Sequence, residues 1–134
     1  MASKAIEENL FKNIGYLFYS IAAADKKVRN EEREILRKFL HEKWFETDGE
    51  IMLSATDSAQ KIEFVFDYLV QTQTDSYIAF SEFEIFFKKH KKIFTPQVKL
   101  LIWEVANRIS LAFSEKNKSE LVILSKLEIL FKRN

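Results

Sequence analysis

Cysteine is absent from this chain, which removes disulfides, thiolate nucleophiles and cysteine-ligated zinc or iron–sulfur centres together. Only 2 glycines and 1 proline occur in 134 residues, against ordinary usage of about 7% and 5%. So few turn-formers leave room for few turns, and long helices are expected rather than many short strands. An excess of one charge is lacking as well. The 21 Lys and Arg residues balance 20 Asp and Glu to a net +1, so no global field draws the protein to nucleic acid, and nucleic-acid binding is not expected. Purely apolar runs are short, such as Ile21–Ala24 and Leu100–Trp103, whereas a membrane span needs about 20 residues. No integral membrane segment is expected. The opening residues Met1 to Glu8 include two acids and lack the apolar core of a signal peptide. Together these absences set the expectation of a cytoplasmic protein.

What is present is core material. Apolar residues make up 47% of the chain, and 13 of them are Phe. A single domain spanning residues 1–134 is expected, large enough to bury about 70% of its unfolded surface. Apolar spacing marks six helical segments. The first runs from Ser3, a capping residue, to Ala24, with Ile6, Leu10, Ile14, Leu17 and Ile21 on one face. The second follows Asn30 and buries Ile35, Leu36, Phe39, Leu40 and Trp44, ending at Thr47-Asp48-Gly49. The third follows the cluster Ser54 to Ser58 and carries Ile62, Val65, Phe66 and Leu69. After the break Thr72 to Ser76, the fourth covers Ile78 to Phe94, where Phe83-Glu84-Ile85 alone would also suit a strand. Thr95-Pro96, a capping hydroxyl before a proline at the first helical position, opens the fifth. Its apolar set is Val98, Leu101, Ile102, Val105, Ala106, Ile109 and Ala112, and the sixth, from Lys118, carries Leu121, Leu124, Leu127 and Phe131. The fold class that follows is all-α.

The turn between the first two segments concentrates acids: Asp25, Glu31 and Glu32. Two readings stand side by side. Structurally, Asn30 caps the second helix while Glu31 and Glu32 sit near its positive N-terminal dipole, worth ~0.3–1 kcal/mol each. Functionally, the three carboxylates offer oxygens to Ca²⁺ or Mg²⁺, hard cations that prefer such ligands. Asp25 resists the structural reading, because an acid late in a helix opposes the dipole. An EF-hand is excluded, since counting Asp25 as the first loop position puts Lys27 third, Arg29 fifth and Leu36 twelfth.

The stretch Ile21–Phe39 echoes Ile109–Leu127 at a constant offset of 88 residues, pairing Ile21 with Ile109, Ala24 with Ala112, Glu32 with Glu120, Ile35 with Ile123 and Leu36 with Leu124. Two related helical hairpins packed into one compact bundle would bury both apolar faces. The pattern from Ala24-Asp25 through Val28 to Glu31-Glu32, with its flanks Ile21-Ala22-Ala23 and Arg33 to Leu36, resembles the TerB-like tellurite-resistance family. That resemblance implies an all-α domain connected with stress response, and a divalent cation held by acids from two copies of the motif, here Asp25, Glu31 and Glu32 with Glu120. Two departures stand out. Lys26 occupies the family's glycine position, and Phe113-Ser114 replace Asp-Gly in the second copy.

Other chemistries find little support. His41-Glu42 begins a metalloprotease-like pattern, but Phe45 stands where the second zinc ligand belongs. No glycine-rich phosphate loop or glycine-flanked nucleophilic serine occurs, so no enzyme is expected. The run Phe86 to Phe94 holds Lys88, Lys89, Lys91 and Lys92. It reads either as a solvated face over core aromatics or as a peripheral contact with an anionic membrane. Arg29, Arg33 and Arg37, four apart, read as a solvated stripe. The sequence therefore supports a non-enzymatic adaptor or sensor that works through a protein partner, with a cation at the acidic turn. The alternative is an interaction module with a degenerate metal site, whose partner surface would be marked by exposed aromatics such as Trp103 or Phe113.

Overall fold

The computed structural model describes residues 4–24, 33–34, 36–38, 40–41, 55–113 and 118–132, with side chains for 9–24, 33–34, 36–38, 40–41, 59–110 and 122–132. Its elements are α1 (Lys4–Ala22), α3 (Ala55–Thr72), α4 (Ser76–Lys89), a single 3-10 turn (Lys91–Ile93), α5 (Pro96–Phe113) and α6 (Lys118–Lys132). Between α1 and α3, every described position from 33 to 41 is helical, and these form α2. No strand occurs among the described residues. The all-α bundle is therefore established, and Phe83-Glu84-Ile85 is helical.

Helix α1 is the axis of the bundle and touches α3, α4, α5 and α6. The sequence pointed to one buried face; instead every side chain from Leu10 to Ala23 is buried except Lys12 and Tyr16. Phe11, Phe18 and Tyr19 are as deep as Ile14 and Leu17. A helix apolar all round is one surrounded by others. Its two buried polar side chains satisfy themselves locally: Asn13 Nδ2 donates to the Asn9 carbonyl at 2.8 Å and Ser20 Oγ to the Leu17 carbonyl at 2.6 Å.

Gly15 permits the closest approach of α1 to α3. A Cβ there would lie 3.0 Å from both Cβ and Cγ1 of Val65 and 3.2 Å from the Ile62 carbonyl oxygen. A second tie runs from the Tyr19 hydroxyl, which donates to the Thr74 carbonyl at 2.6 Å. Thr74 belongs to the turn that ends α3. There Gln73 takes the left-handed conformation at φ 53°, and the Gln73 and Thr74 amides return to the carbonyls of Val70 and Leu69, each at 3.2 Å. Glycine usually fills such a position; this glycine-poor chain uses glutamine.

Asp75 then caps α4, its Oδ2 accepting from the Tyr77 and Ile78 amides at 3.0 and 3.2 Å. The sequence carried this helix to Phe94, but it stops at Lys89 and His90 leads into the 3-10 turn. That turn brings Phe94 back onto the helix it leaves. Phe83 and Phe87, both fully buried, meet the Phe94 ring at 5.9 and 4.8 Å and the Phe131 ring of α6 at 6.4 and 5.4 Å. Helix α5 starts where Thr95-Pro96 places it, with the Val98 amide donating to Thr95 Oγ1 at 3.2 Å.

Helices α5 and α6 contact each other. The echo positions Ile21, Ile109, Leu36, Leu124 and Ile123 are all buried, while Ile35 lies outside the described residues. One continuous core joins the six helices of the described residues. Among the described residues, no helix is long and apolar enough to cross a membrane.

Candidate functional site

Helix α2 carries Arg33, Arg37 and His41 at intervals of four, which places them on one side. Helix α3 carries Glu63 and Asp67 at the same interval. The two rows meet. Arg33 donates from Nε to Asp67 Oδ1 at 3.0 Å and brings a second guanidinium nitrogen to 2.8 Å from the same oxygen. Arg37 Nε lies 3.3 Å from Glu63 Oε1 and its Nη1 3.2 Å from Glu34. His41 Nε2 also lies 3.3 Å from Glu63 Oε1. Rising numbers on α2 meet falling numbers on α3, so the helices pack antiparallel.

The Glu63 oxygen is buried and receives no well-aligned hydrogen bond; Arg37, and His41 when protonated, hold it by charge. Half-exposed pairs of this kind contribute about 0–1 kcal/mol each. Their role is to set the register of α2 on α3. The arginine stripe, expected as a solvated face, is half-buried at Arg33 and exposed at Arg37, and from that position it also clamps α2 to the neighbouring helix; Arg29 lies outside the described residues.

Beside that clamp the surface turns aromatic. Phe64 is 74% exposed and Tyr68, one turn on, is 56% exposed. With Arg33, Asp67, Val70 and Gln71 they line an open hollow of about 230 Å³. Small-molecule sites usually measure ~300–1,000 Å³. This hollow suits one inserted side chain. Its sequence signal is one of spacing: Phe64 and Tyr68 fall off the Ile62, Val65, Phe66, Leu69 stripe and so face away from the core.

The acidic turn stands differently. Asp25, Glu31 and Glu32 lie outside the described residues, and so does the side chain of Glu120. Helix α1 closes just before them, the Ala23 amide donating to the Tyr19 carbonyl at 2.8 Å and the Ala24 amide to the Ile21 carbonyl at 3.3 Å. No group of three or more His, Asp or Glu side chains converges as metal ligands would among the described residues. Trp103 is not the exposed aromatic it was expected to be: it is half-buried and packs on the core. The side chain of Phe113 lies outside the described set.

In the basic run, Phe86, Phe87 and Phe94 enter the core while Lys88, Lys89, Lys91 and Lys92 are exposed. Lys88 pairs with Glu84 at 3.2 Å, and the His90 ring rests 4.6 Å from that of Phe86. Lys88 and Lys89 in the last turn of α4 also complement its negative dipole terminus.

The fold and this surface define the class: a helical bundle with an exposed aromatic face. Comparison with protein-family models, curated proteins and solved structures found no match for the chain.

Proposed function

We propose that this chain is a non-enzymatic, cytoplasmic adaptor of the TerB-like kind, and that its protein partner docks on the outer face of α3. The observation that carries the reading is the pair Phe64 and Tyr68, exposed one turn apart beside a hollow sized for a single side chain. Fully burying one such side chain is worth ~1.5–3 kcal/mol. Covering the exposed parts of both therefore supplies roughly 2–4 kcal/mol of binding. The Arg33–Asp67 pair at the rim offers polar contacts that fix the partner's orientation. Capture from the source cell identifies the partner, and calorimetry with the purified pair compares the native chain with Phe64→Ser/Tyr68→Ser. A loss of about 30-fold, the counterpart of ~2 kcal/mol, is expected. Equal affinities would overturn the reading.

Within the same reading a divalent cation, Ca²⁺ or Mg²⁺, binds at Asp25 with Glu31 or Glu32, and Glu120 joins them as the family resemblance implies. Its support is the pattern from Ala24 to Glu32. The cation would bridge the end of α1 and the start of α2 and so stiffen the hairpin that presents the α3 face. Calorimetry against both cations, repeated on Asp25→Asn, tests this; equal heats from the two proteins eliminate the site. Partner capture lost on chelation supports a cation-dependent sensor. Capture unchanged by chelation supports the alternative, an interaction module whose metal site is degenerate.

A further inference from the structure

Between Ile85 and Trp103 the chain carries Lys88, Lys89, Lys91, Lys92 and Lys99 and no acid. The aromatic residues in this stretch decide where the lysines go. Phe86, Phe87 and Phe94 take the core, and the His90 ring rests 4.6 Å from that of Phe86. The Ile93 and Phe94 amides return to the His90 and Lys91 carbonyls, each at 3.1 Å. The turn is thereby held, and Lys88, Lys89, Lys91 and Lys92 stand exposed on it. Glu84 neutralises Lys88, but Lys89, Lys91 and Lys92 have no carboxylate partner among the described residues. Lysines elsewhere are mostly engaged. Lys132 pairs with Glu128, and the Nζ atoms of Lys12, Lys61, Lys99 and Lys126 lie 4.9–5.9 Å from aromatic rings; Lys38 on α2 is the exception. Unneutralised ammonium groups so close together repel one another, and an anionic surface laid against them relieves that repulsion.

The side chains present choose among anionic surfaces. A lysine is a hydrated point charge on a flexible stem, whereas the planar fork of arginine suits a carboxylate or phosphate held in one fixed orientation. No arginine lies in this stretch. Single-stranded nucleic acid is held by bases stacked on exposed aromatic rings, and every phenylalanine here is buried. The large apolar side chains left outside are aliphatic. Ile85, one turn before Lys89 on α4, is 51% exposed, and Leu100, next to Lys99 on α5, is 58% exposed. Lysines with aliphatic neighbours match the interface of an anionic bilayer, where charge acts across a layer of headgroups and apolar side chains reach the acyl boundary. We propose that the close of α4, the 3-10 turn and the start of α5 form a peripheral docking surface for an anionic lipid bilayer, with Lys89, Lys91 and Lys92 supplying the attraction. It is separate from the face of α3 and does not depend on a partner there.

Vesicle cosedimentation at about 0.1 M salt, where surface charges act over about 10 Å, tests the proposal. The native chain should bind phosphatidylcholine vesicles containing about 30% phosphatidylserine and not bind phosphatidylcholine alone. Each lysine near such a surface is worth about fivefold in partitioning. Lys89→Gln/Lys91→Gln/Lys92→Gln should therefore lose about 100-fold, with its helical circular dichroism unchanged. Lys38→Gln and Phe64→Ser/Tyr68→Ser should bind as the native chain does. No binding to the phosphatidylserine vesicles overturns the proposal, as does a triple variant that binds undiminished, or binding abolished by changing Phe64 and Tyr68. Tighter binding to poly(dT) or to polyglutamate than to the vesicles, lost in the same triple variant, would assign the lysines to nucleic acid or to an acidic protein and overturn it too.

Discussion

Glycine in mid-helix normally marks a position open to improvement, since alanine there gains about 1 kcal/mol of helix propensity. At Gly15 the opposite sign is expected. Three atoms of α3 stand where the new methyl would go, two at 3.0 Å and one at 3.2 Å. Val65 is β-branched and stiff about χ1, and the Ile62 carbonyl moves only if α3 moves with it. Overpacking of this kind costs ~1–3 kcal/mol. The propensity gain offsets about 1 kcal/mol of that, leaving a net ~0–2 kcal/mol, so Gly15→Ala should destabilise by about 1 kcal/mol, seen as a melting midpoint lower by about 3–6 °C. Denaturant titration provides the stability change. Adding Val65→Ala should return part of it, because Cγ1 is removed, and the double-mutant cycle should show a coupling of at least ~0.5 kcal/mol. A Gly15→Ala variant more stable than the native chain would refute the close approach of α1 to α3.

Tyr19→Phe should cost ~1 kcal/mol by leaving the Thr74 carbonyl without its donor. Burial, and then the nearby Asp75 charge, hold the Tyr19 phenol above its ordinary 10.0. Its contribution is therefore complete below about pH 10 and lost as pH rises through the folded value; alkaline denaturation of the native chain and the variant should converge there. Gln73→Gly should raise stability by ~0.5–1 kcal/mol, because the left-handed φ of 53° burdens glutamine and not glycine. Phe83→Ala should cost ~3–5 kcal/mol, since its fully buried ring touches those of Phe80, Phe87, Phe94 and Phe131. Thermal scans check each of these.

Signals confined to a few neighbouring residues were legible in the sequence. Thr95-Pro96 placed the start of α5 because both the hydroxyl cap and the fixed proline φ act within one turn. The Ile62, Val65, Phe66, Leu69 stripe placed the buried face of α3, and the same stripe left Phe64 and Tyr68 outside. What depended on distant partners was not legible. Periodicity finds a helix's most apolar side but cannot report neighbours on every side, so the spacing in α1 marked one apolar face and not the burial of Phe11, Phe18 and Tyr19 around it. The clamp of Arg33 on Asp67 joins residues 34 apart, and no local pattern pairs them. His90 ends α4 although the lysines on either side suit a helix, because folding Phe94 back against Phe83 and Phe87 gains more than one further turn.

In the proposed function, a protein partner meets the outer face of α3. A photoreactive phenylalanine analogue placed at Phe64, and in a parallel variant at the exposed Gln97 on α5, tests that directly by cross-linking in the source cell. One discrete adduct from position 64 and none of the same mass from position 97 is the expected result. No adduct at 64, or the same adduct from both positions, would contradict it.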